Sequence, residues 1–551
     1  MKCNSESLFA LLPAVLICLF SSVCVAQDEQ ESKYLSDREL ILHTLSRITF
    51  GADDDLLERV ESIGLKTWLE RQFAHPGMDK RTAGMLAKFG SLNLTSEEIY
   101  KQYAGDRKKR GQVGPELKGS IVIRATLNNW QVAEVMTEFW RNHLNIDRAK
   151  SSSLQYTATH YEQEVLRKHV FGDFHSMLSA SAKHPAMLVY LDNHISRKPP
   201  TKTELKSVAR RVRQKTGSKE RGQEAASIAA QRGLNENYAR ELMELHTLGV
   251  DNGYTQKDVV EVARALTGWT INLDKQKYEF LYQESMHDGG DKFVLGRMVP
   301  REKRRNGIVE GEKILARLAT HKNTAQFLAK KLCIYLITDE PPQKLINQVA
   351  GYLKRSKFDL GITVQKILNS DEFRSREYFG CKFKTPMEFV ISCLRAVDAE
   401  ISSTTALTAW LEEMGQPIYG CEDPTGFSDT AESWRDPGIM AFRWKFALDL
   451  VQGKIKGVRI PDAFYAGMSK ARAPHMVKKL GDKVLPGGIR SQTIRTLLQV
   501  VKKHRFLIEE ENDLIEIARM EKRKPPRREK RVAIEKRLLA VLLGSPEFQR
   551  Q

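Results

Sequence analysis

Apolar side chains recur at helical spacing along most of this chain. Leu40, Ile41, Leu45 and Ile48 share one face of a helix. Leu57, Val60, Ile63 and Leu65 repeat the pattern ahead of Trp68 and Leu69. The same spacing predicts helices over Val132 to His143, Phe174 to Leu191, Ile314 to Leu318, Thr324 to Leu336, Leu345 to Leu353 and Phe389 to Val397. Strict alternation is scarce. Only Tyr278 to Tyr282 and Phe293 to Leu295 read as short strands, a small hairpin around a polar loop. The expected fold class is all-α, a large multi-helical domain with at most a minor β-hairpin near 278–295.

The polar positions are most ordered over Asn235 to Gly249. At about 100° per residue, Tyr238, Leu242, Leu245 and Gly249 share an apolar face. Asn237, Glu241 and Glu244 share a second face, with Arg240 just beyond, and His246 falls on the far flank of the apolar one. Two carboxylates and an amide on one face suit a hard cation, a sugar, or acid and base catalysis. They equally suit an exposed face tied by Glu236–Arg240 and Arg240–Glu244 pairs, and His246 suits a hydrogen-bonded core position. Asp251-Asn252-Gly253 then predicts a tight turn. Thr255 and Asp258 resemble a capping box for a second, antiparallel helix buried through Val259, Val262, Ala263 and Leu266. Gly268 and Trp269 end it. A glycine-rich loop follows, in which His287, Asp288 and Lys292 can reach a common point.

Other candidates lie at helix ends. Phe139-Trp140-Arg141-Asn142-His143 closes one helix, and His184 to Asn193 opens another; His143, Asp192 and Asn193 suit capping as well as binding. Ile367 to Phe373 resembles Leu542 to Phe548, which predicts two equivalent helix-end caps. H-E-x-x-H, G-x-S-x-G, P-loop and dinucleotide signatures are absent. The candidate catalytic groups are therefore Glu241, Glu244, His287 and Asp288. The candidate binding groups are Asn235, Asn237, Arg240, His246, Trp269, Lys292 and His143. A divalent metal is one candidate cofactor, with no ligand set specified.

Composition changes this picture in two ways. Lys2, an apolar run from Leu8 to Val25, and small residues Cys24 and Ala26 before Gln27 read as a secretory signal peptide over residues 1–26. The mature chain is expected to be exported, periplasmic or extracellular, with no later stretch apolar enough to span a bilayer. Four cysteines remain, Cys333, Cys381, Cys393 and Cys421, too few for a disulfide scaffold. The net charge of +18 is concentrated. Thr201 to Arg221 carries eight Lys/Arg against two Glu, and Glu516 to Arg537 ten against four. Such runs bind anionic lipid, acidic polysaccharide or nucleic acid, or are simply solvated. Export makes nucleic acid the least natural of these partners. The expected organisation is a helical domain over 27–450 with a basic insertion at 196–232, and a C-terminal helical extension over 451–551 packed on it.

The 235–250 segment, Asn-Glu-Asn-Tyr-Ala-Arg-Glu-Leu-Met-Glu-Leu-His-Thr-Leu-Gly-Val, resembles the hallmark of a bacterial family, domain of unknown function 1800. The likeness extends in order through Arg47 to Gly51, Trp140 to His143, Pro185 to Asn193, Gly253 to Thr255 and Ala265 to Trp269. It continues through His287-Asp288, Lys384 to Glu388, Met414 to Pro417 and Ser545 to Phe548. The basic insertion departs from the shorter family pattern. The resemblance implies an exported helical protein. It also implies an exported alkaline-phosphatase-like partner, of domain of unknown function 1501, encoded nearby. Two functions are expected to compete. One is a hydrolase acting on an envelope or extracellular polymer, with Lys292 and Arg240 holding anions and Trp269 as a stacking wall. The other is a non-enzymatic envelope module that binds an acidic polysaccharide or a partner protein.

Overall fold

The computed structural model describes residues 32–551 apart from 75, 232, 303–305, 469–471, 525–526 and 528–531. The signal peptide expected over 1–26 lies outside the described residues, as do Arg232 at the end of the insertion and the prolines of the C-terminal basic run.

Among the described residues the fold is all-α with three two-stranded sheets. Most predicted helices form, and glycine, proline and histidine set their breaks. The pattern from Leu57 to Leu69 splits into Asp54–Ile63 and Leu65–Ala74 at Gly64, whose φ of 83° ends the first helix. The single helix expected over Phe174 to Leu191 is two, Phe174–Lys183 and Pro185–Tyr190. His184 separates them, extended in backbone, and its side chain accepts the amide of Ala186. One apolar core runs without interruption from Leu45 to Phe548. The Ile534–Leu543 helix joins it from the C-terminal end, packed on Pro437–Val451, Ala473–Val484 and Ser491–Met520. The two Ser-x-x-Phe segments act alike. Ser370 Oγ and Ser545 Oγ accept the amides of Phe373 and Phe548, whose rings are buried.

The β elements differ from the expected hairpin. Strand β1 (Trp269–Asn272) pairs antiparallel with β2 (Glu279–Tyr282), and β3 (Lys292–Val294) with β4 (Arg297–Val299). The segments around 278–282 and 293–295 thus belong to separate hairpins, because each finds its partner across a nearer turn. Strands β5 (Glu400–Ile401) and β6 (Val458–Arg459) form the third pair. All four remaining cysteines are free, with Cys333 and Cys393 buried. Among the described residues, no helix is long and apolar enough to cross a membrane.

Candidate functional site

The helix carrying Glu241 is not the uniform α-helix that its sequence suggests. It begins as α over Asn237–Glu241 and widens to a π-helix over Leu242–Thr247. Leu248 N–H accordingly bonds Met243 O, five residues back, at 2.8 Å. A wider turn rotates later side chains away from their α positions. The buried face is therefore Tyr238, Ala239, Leu242, Met243, His246 and Thr247, while Leu245, expected in the core, is half-buried. His246 is a core residue, but among the described residues its two ring nitrogens have no hydrogen-bond partner, contrary to the bonded core position expected. Burial first, and then Lys331, hold its pKa down at about 4. His143 lies beside it, its Nε2 3.1 Å from the His246 carbonyl. Burial also keeps His143 neutral, its pKa well below the usual value. These two histidines sit inside the wall beneath the site.

The outer face carries the polar groups. Asn235 Oδ1 accepts the Asn237 amide, and Asn237 Nδ2 reaches Leu191 O at 3.4 Å. Arg240 sits 3.2 Å from Glu244 and 3.7 Å from Glu236, and donates to Gln256 at 2.6 Å. Gln256 in turn donates to Glu236. It opens the Gln256–Leu266 helix, which has the predicted Thr255–Asp258 capping box and buries Val259, Val262, Ala263 and Leu266. The expected ion pairs therefore form, and they occupy Glu244. Glu241 is different: it has no hydrogen bond or ion pair among the described residues and is half-buried. Burial first, then the charges of Glu244 and Asp423, push its carboxyl above the ordinary value.

Asp423 was invisible to the sequence reading and arrives on a distant loop. Asn145 Nδ2 donates to Cys421 O and Asp423 O, each at 2.9 Å, and lies 3.4 Å from Tyr190 Oη. Tyr190 Oη donates to Glu422 O at 2.9 Å. Asn142 clasps the loop further on, donating to Phe427 O and accepting its amide. Gly426, at φ 79°, lets the loop pass so close that a Cβ would stand 2.5 Å from Asn142 O. Asp423 itself accepts the Thr425 amide at 2.8 Å, and bonding from Thr425 holds its pKa below the ordinary value. The clue in sequence was Asp423-Pro424-Thr425-Gly426, a turn composition two positions past Cys421.

Behind this rim lies a narrow cleft lined by Glu138, Arg141, Asn142, Asn145, Gln416 and Tyr419, with about 20 Å³ of open space, room for a water. Segments that carry the family resemblance meet here: Trp140 to His143, Lys384 to Glu388 through Met387, and Met414 to Pro417. At its base Arg141 forks onto Glu162, both bonds 2.9 Å, and also pairs with Glu138. Arg167 joins Glu162 to Glu134, and Tyr419 Oη donates to Glu162 at 2.6 Å. Burial would raise Glu162, but Arg141 and Arg167 hold it down to about 2. Glu138 goes the other way: burial raises its carboxyl despite Arg141.

The His287 loop forms a second, separate cluster. His287 is buried, with Nδ1 2.9 Å from Thr267 O and Nε2 3.2 Å from Glu310. Lys292 is fully buried and pairs with Glu310. Asp288 is held by Arg264 through two 3.0 Å bonds; burial opposes its ionisation, but Arg264 keeps its pKa low. Trp269 is wholly buried, so it presents no stacking wall, and its ring meets Phe280 edge-on. Gly268, at φ 82°, must be glycine here, since a Cβ would stand 2.7 Å from Gln283 O. No hydrogen bond or ion pair joins this cluster to Glu241 or Glu244 among the described residues. The geometry explains why. Gln256 meets Arg240 near one end of its helix and Arg264 meets Asp288 near the other, about 12 Å of helical rise away. Among the described residues, no three His, Cys, Asp or Glu are grouped to hold a metal ion.

No curated protein and no solved structure matches the chain. A family model described as "Protein of unknown function (DUF1800)" matches residues 43–550, nearly the whole sequence, and the chain belongs to that family.

Proposed function

We propose that this chain is an exported hydrolase that cleaves glycosidic bonds in an envelope or extracellular polymer, with Glu241 as general acid. The observation that carries this reading is the contrast between neighbouring carboxyls. Burial and the charges of Glu244 and Asp423 favour the protonated form of Glu241, whereas Thr425 favours the ionised form of Asp423. Carboxyls driven apart in this way supply an acid and a base at one pH. In this reading Glu241 gives its proton to the leaving oxygen as the glycosidic C–O bond breaks. Asp423 takes a proton from the water whose oxygen bonds to the anomeric carbon. Glu244, held by Arg240 and beside the Tyr254 hydroxyl, lies one helical turn from Glu241. Asn237, exposed on the same rim, has the amide chemistry that recognises sugar hydroxyls. The His287–Lys292–Glu310 and Asp288–Arg264 pairs then serve as a latch for the loop.

The test is release of reducing ends from a panel of bacterial exopolysaccharides and peptidoglycan by the mature protein. Glu241→Gln and Asp423→Asn should each abolish release while leaving the melting temperature near that of the parent. Equal turnover by Glu241→Gln would rule out its role as the acid.

A further inference from the structure

The basic insertion is the largest feature that the site does not use. Thr201 caps the Lys202–Thr216 helix through a capping box with Glu204, and Gly217, at φ 70°, turns the chain into the Lys219–Gln231 helix. The two helices pack chiefly on each other. Their approach is close: a Cβ on Gly222 would stand 2.6 Å from Ala209 O. The first helix has no buried residue at all. Its stem is narrow. Arg197 N–H bonds Gly233 O at 3.2 Å, and the Asn235 amide bonds Ser196 Oγ at 3.1 Å. The hairpin therefore rises from the first turn of the Glu241 helix as a free-standing arm.

Its charges are arranged in a stripe. Lys202, Lys206, Arg210 and Arg213 fall within about 80° of one another and span about 16 Å of helix. All four are exposed, as are Arg211, Lys215, Lys219 and Arg221. None of the eight makes an ion pair among the described residues. Of the arm's three acids, Glu204 bonds Thr201 and lies 3.8 Å from Lys198, Glu220 bonds Ser218, and Glu224 is exposed. A helix of this charge is solvated readily in isolation, but a linear stripe of unpaired cations also matches a linear array of anions. The arm contains no Phe, Tyr or Trp. It thus lacks the aromatic platforms on which single-stranded bases stack and the aromatic anchors of interfacial membrane helices. We infer that the 202–231 hairpin is a binding arm for a polyanionic glycan, a chain bearing sulfate or uronate groups. Its root beside Asn235 places such a chain at the rim of Glu241. That last step rests on the proposed hydrolase reading; the binding itself does not.

The experiment uses the mature full-length protein with three probes: heparin, polygalacturonate and vesicles of phosphatidylglycerol, with duplex DNA as a fourth. One or both glycans should bind, weakening steeply as salt rises from about 50 to 200 mM, because bound cations displace counterions. Lys202→Gln, Lys206→Gln, Arg210→Gln and Arg213→Gln combined should weaken binding about tenfold or more without altering the melting temperature, since none of the four is buried. A control removing Arg59, Lys66, Arg71 and Arg81, exposed cations elsewhere, should leave binding within about twofold. Glu241→Gln should bind normally while losing turnover, which separates this inference from the hydrolase reading. Unchanged binding by the arm variant, an equal loss in the control, absence of glycan binding, or tighter binding of DNA or vesicles would each overturn it.

Discussion

Glu162 and Glu241 are the same side chain in opposite surroundings. Glu162 is completely buried yet stays ionised, because Arg141, Arg167 and Tyr419 surround it. Glu241 is less buried but makes no ion pair among the described residues, so burial and the nearby carboxylates push its carboxyl up despite Arg240. Removing the charge at Glu162 leaves Arg141 and Arg167 short of a partner. Glu162→Gln should therefore lower stability by about 3–5 kcal/mol in urea denaturation. Removing the charge at Glu241 should leave stability nearly unchanged and end catalysis. The pH profile follows from the two directions. A general acid works only when protonated, so the rate should fall as pH rises through the raised pKa of Glu241. Asp423 works only when ionised, so the rate should fall again as pH drops through its lowered pKa. A rate that kept rising through neutral and alkaline pH would contradict these roles. Glu241 was legible in the sequence because its carboxylate neighbours lie on one helical face. Asp423 was not, because it lies 182 positions further along the chain than Glu241 and is placed by Asn145, itself 278 positions away in sequence.

At the scale of elements, apolar spacing carried the helices but not their local geometry. The Gln256–Leu266 helix was readable to its capping box, since cap and periodicity agree there. The π-turn over Leu242–Thr247 was not, because a period of 3.6 was imposed on a segment whose buried positions are Leu242, Met243, His246 and Thr247. The His287 loop was rightly noticed as dense in polar groups. Its partner Glu310 lies on the next helix, however, and turns those groups inward. The latch makes its own prediction. Lys292→Met leaves Glu310 buried without its cation and should destabilise the protein by about 3–5 kcal/mol. Lys292→Met combined with Glu310→Leu should recover most of that loss, measured by the same denaturation. Equal stability of single variant and parent would show that the pair does not hold the loop.

Across the whole molecule, the family resemblance was readable because its segments recur in order along nearly the whole chain, and three of them, Trp140 to His143, Lys384 to Glu388 and Met414 to Pro417, meet around one cleft. The continuous core from Leu45 to Phe548 includes Met387, Ile418 and Tyr419 of that cleft's lining. Acid should undo it in a defined window. Glu162 and Glu39 have folded pKa values depressed to about 2, Glu39 by its bond from Arg376. Their stabilisation is complete above the unfolded carboxyl value of about 4.3 and is lost as pH falls through the folded value. For Glu162 this amounts to about 3 kcal/mol, so circular dichroism should show unfolding between roughly pH 5 and 2. The proposed export makes a separate prediction: N-terminal sequencing of the chain recovered outside the cytoplasm should begin at Gln27, and an intact Met1 would contradict it. The most direct measurement of the central claim is reducing-end release by the mature protein beside Glu241→Gln on the same polysaccharide panel. The parent should release reducing ends from at least one polymer and Glu241→Gln from none, with both equally folded. Release by neither protein from any polymer, or by both at one rate, would contradict the assignment of Glu241 as a glycoside-cleaving acid.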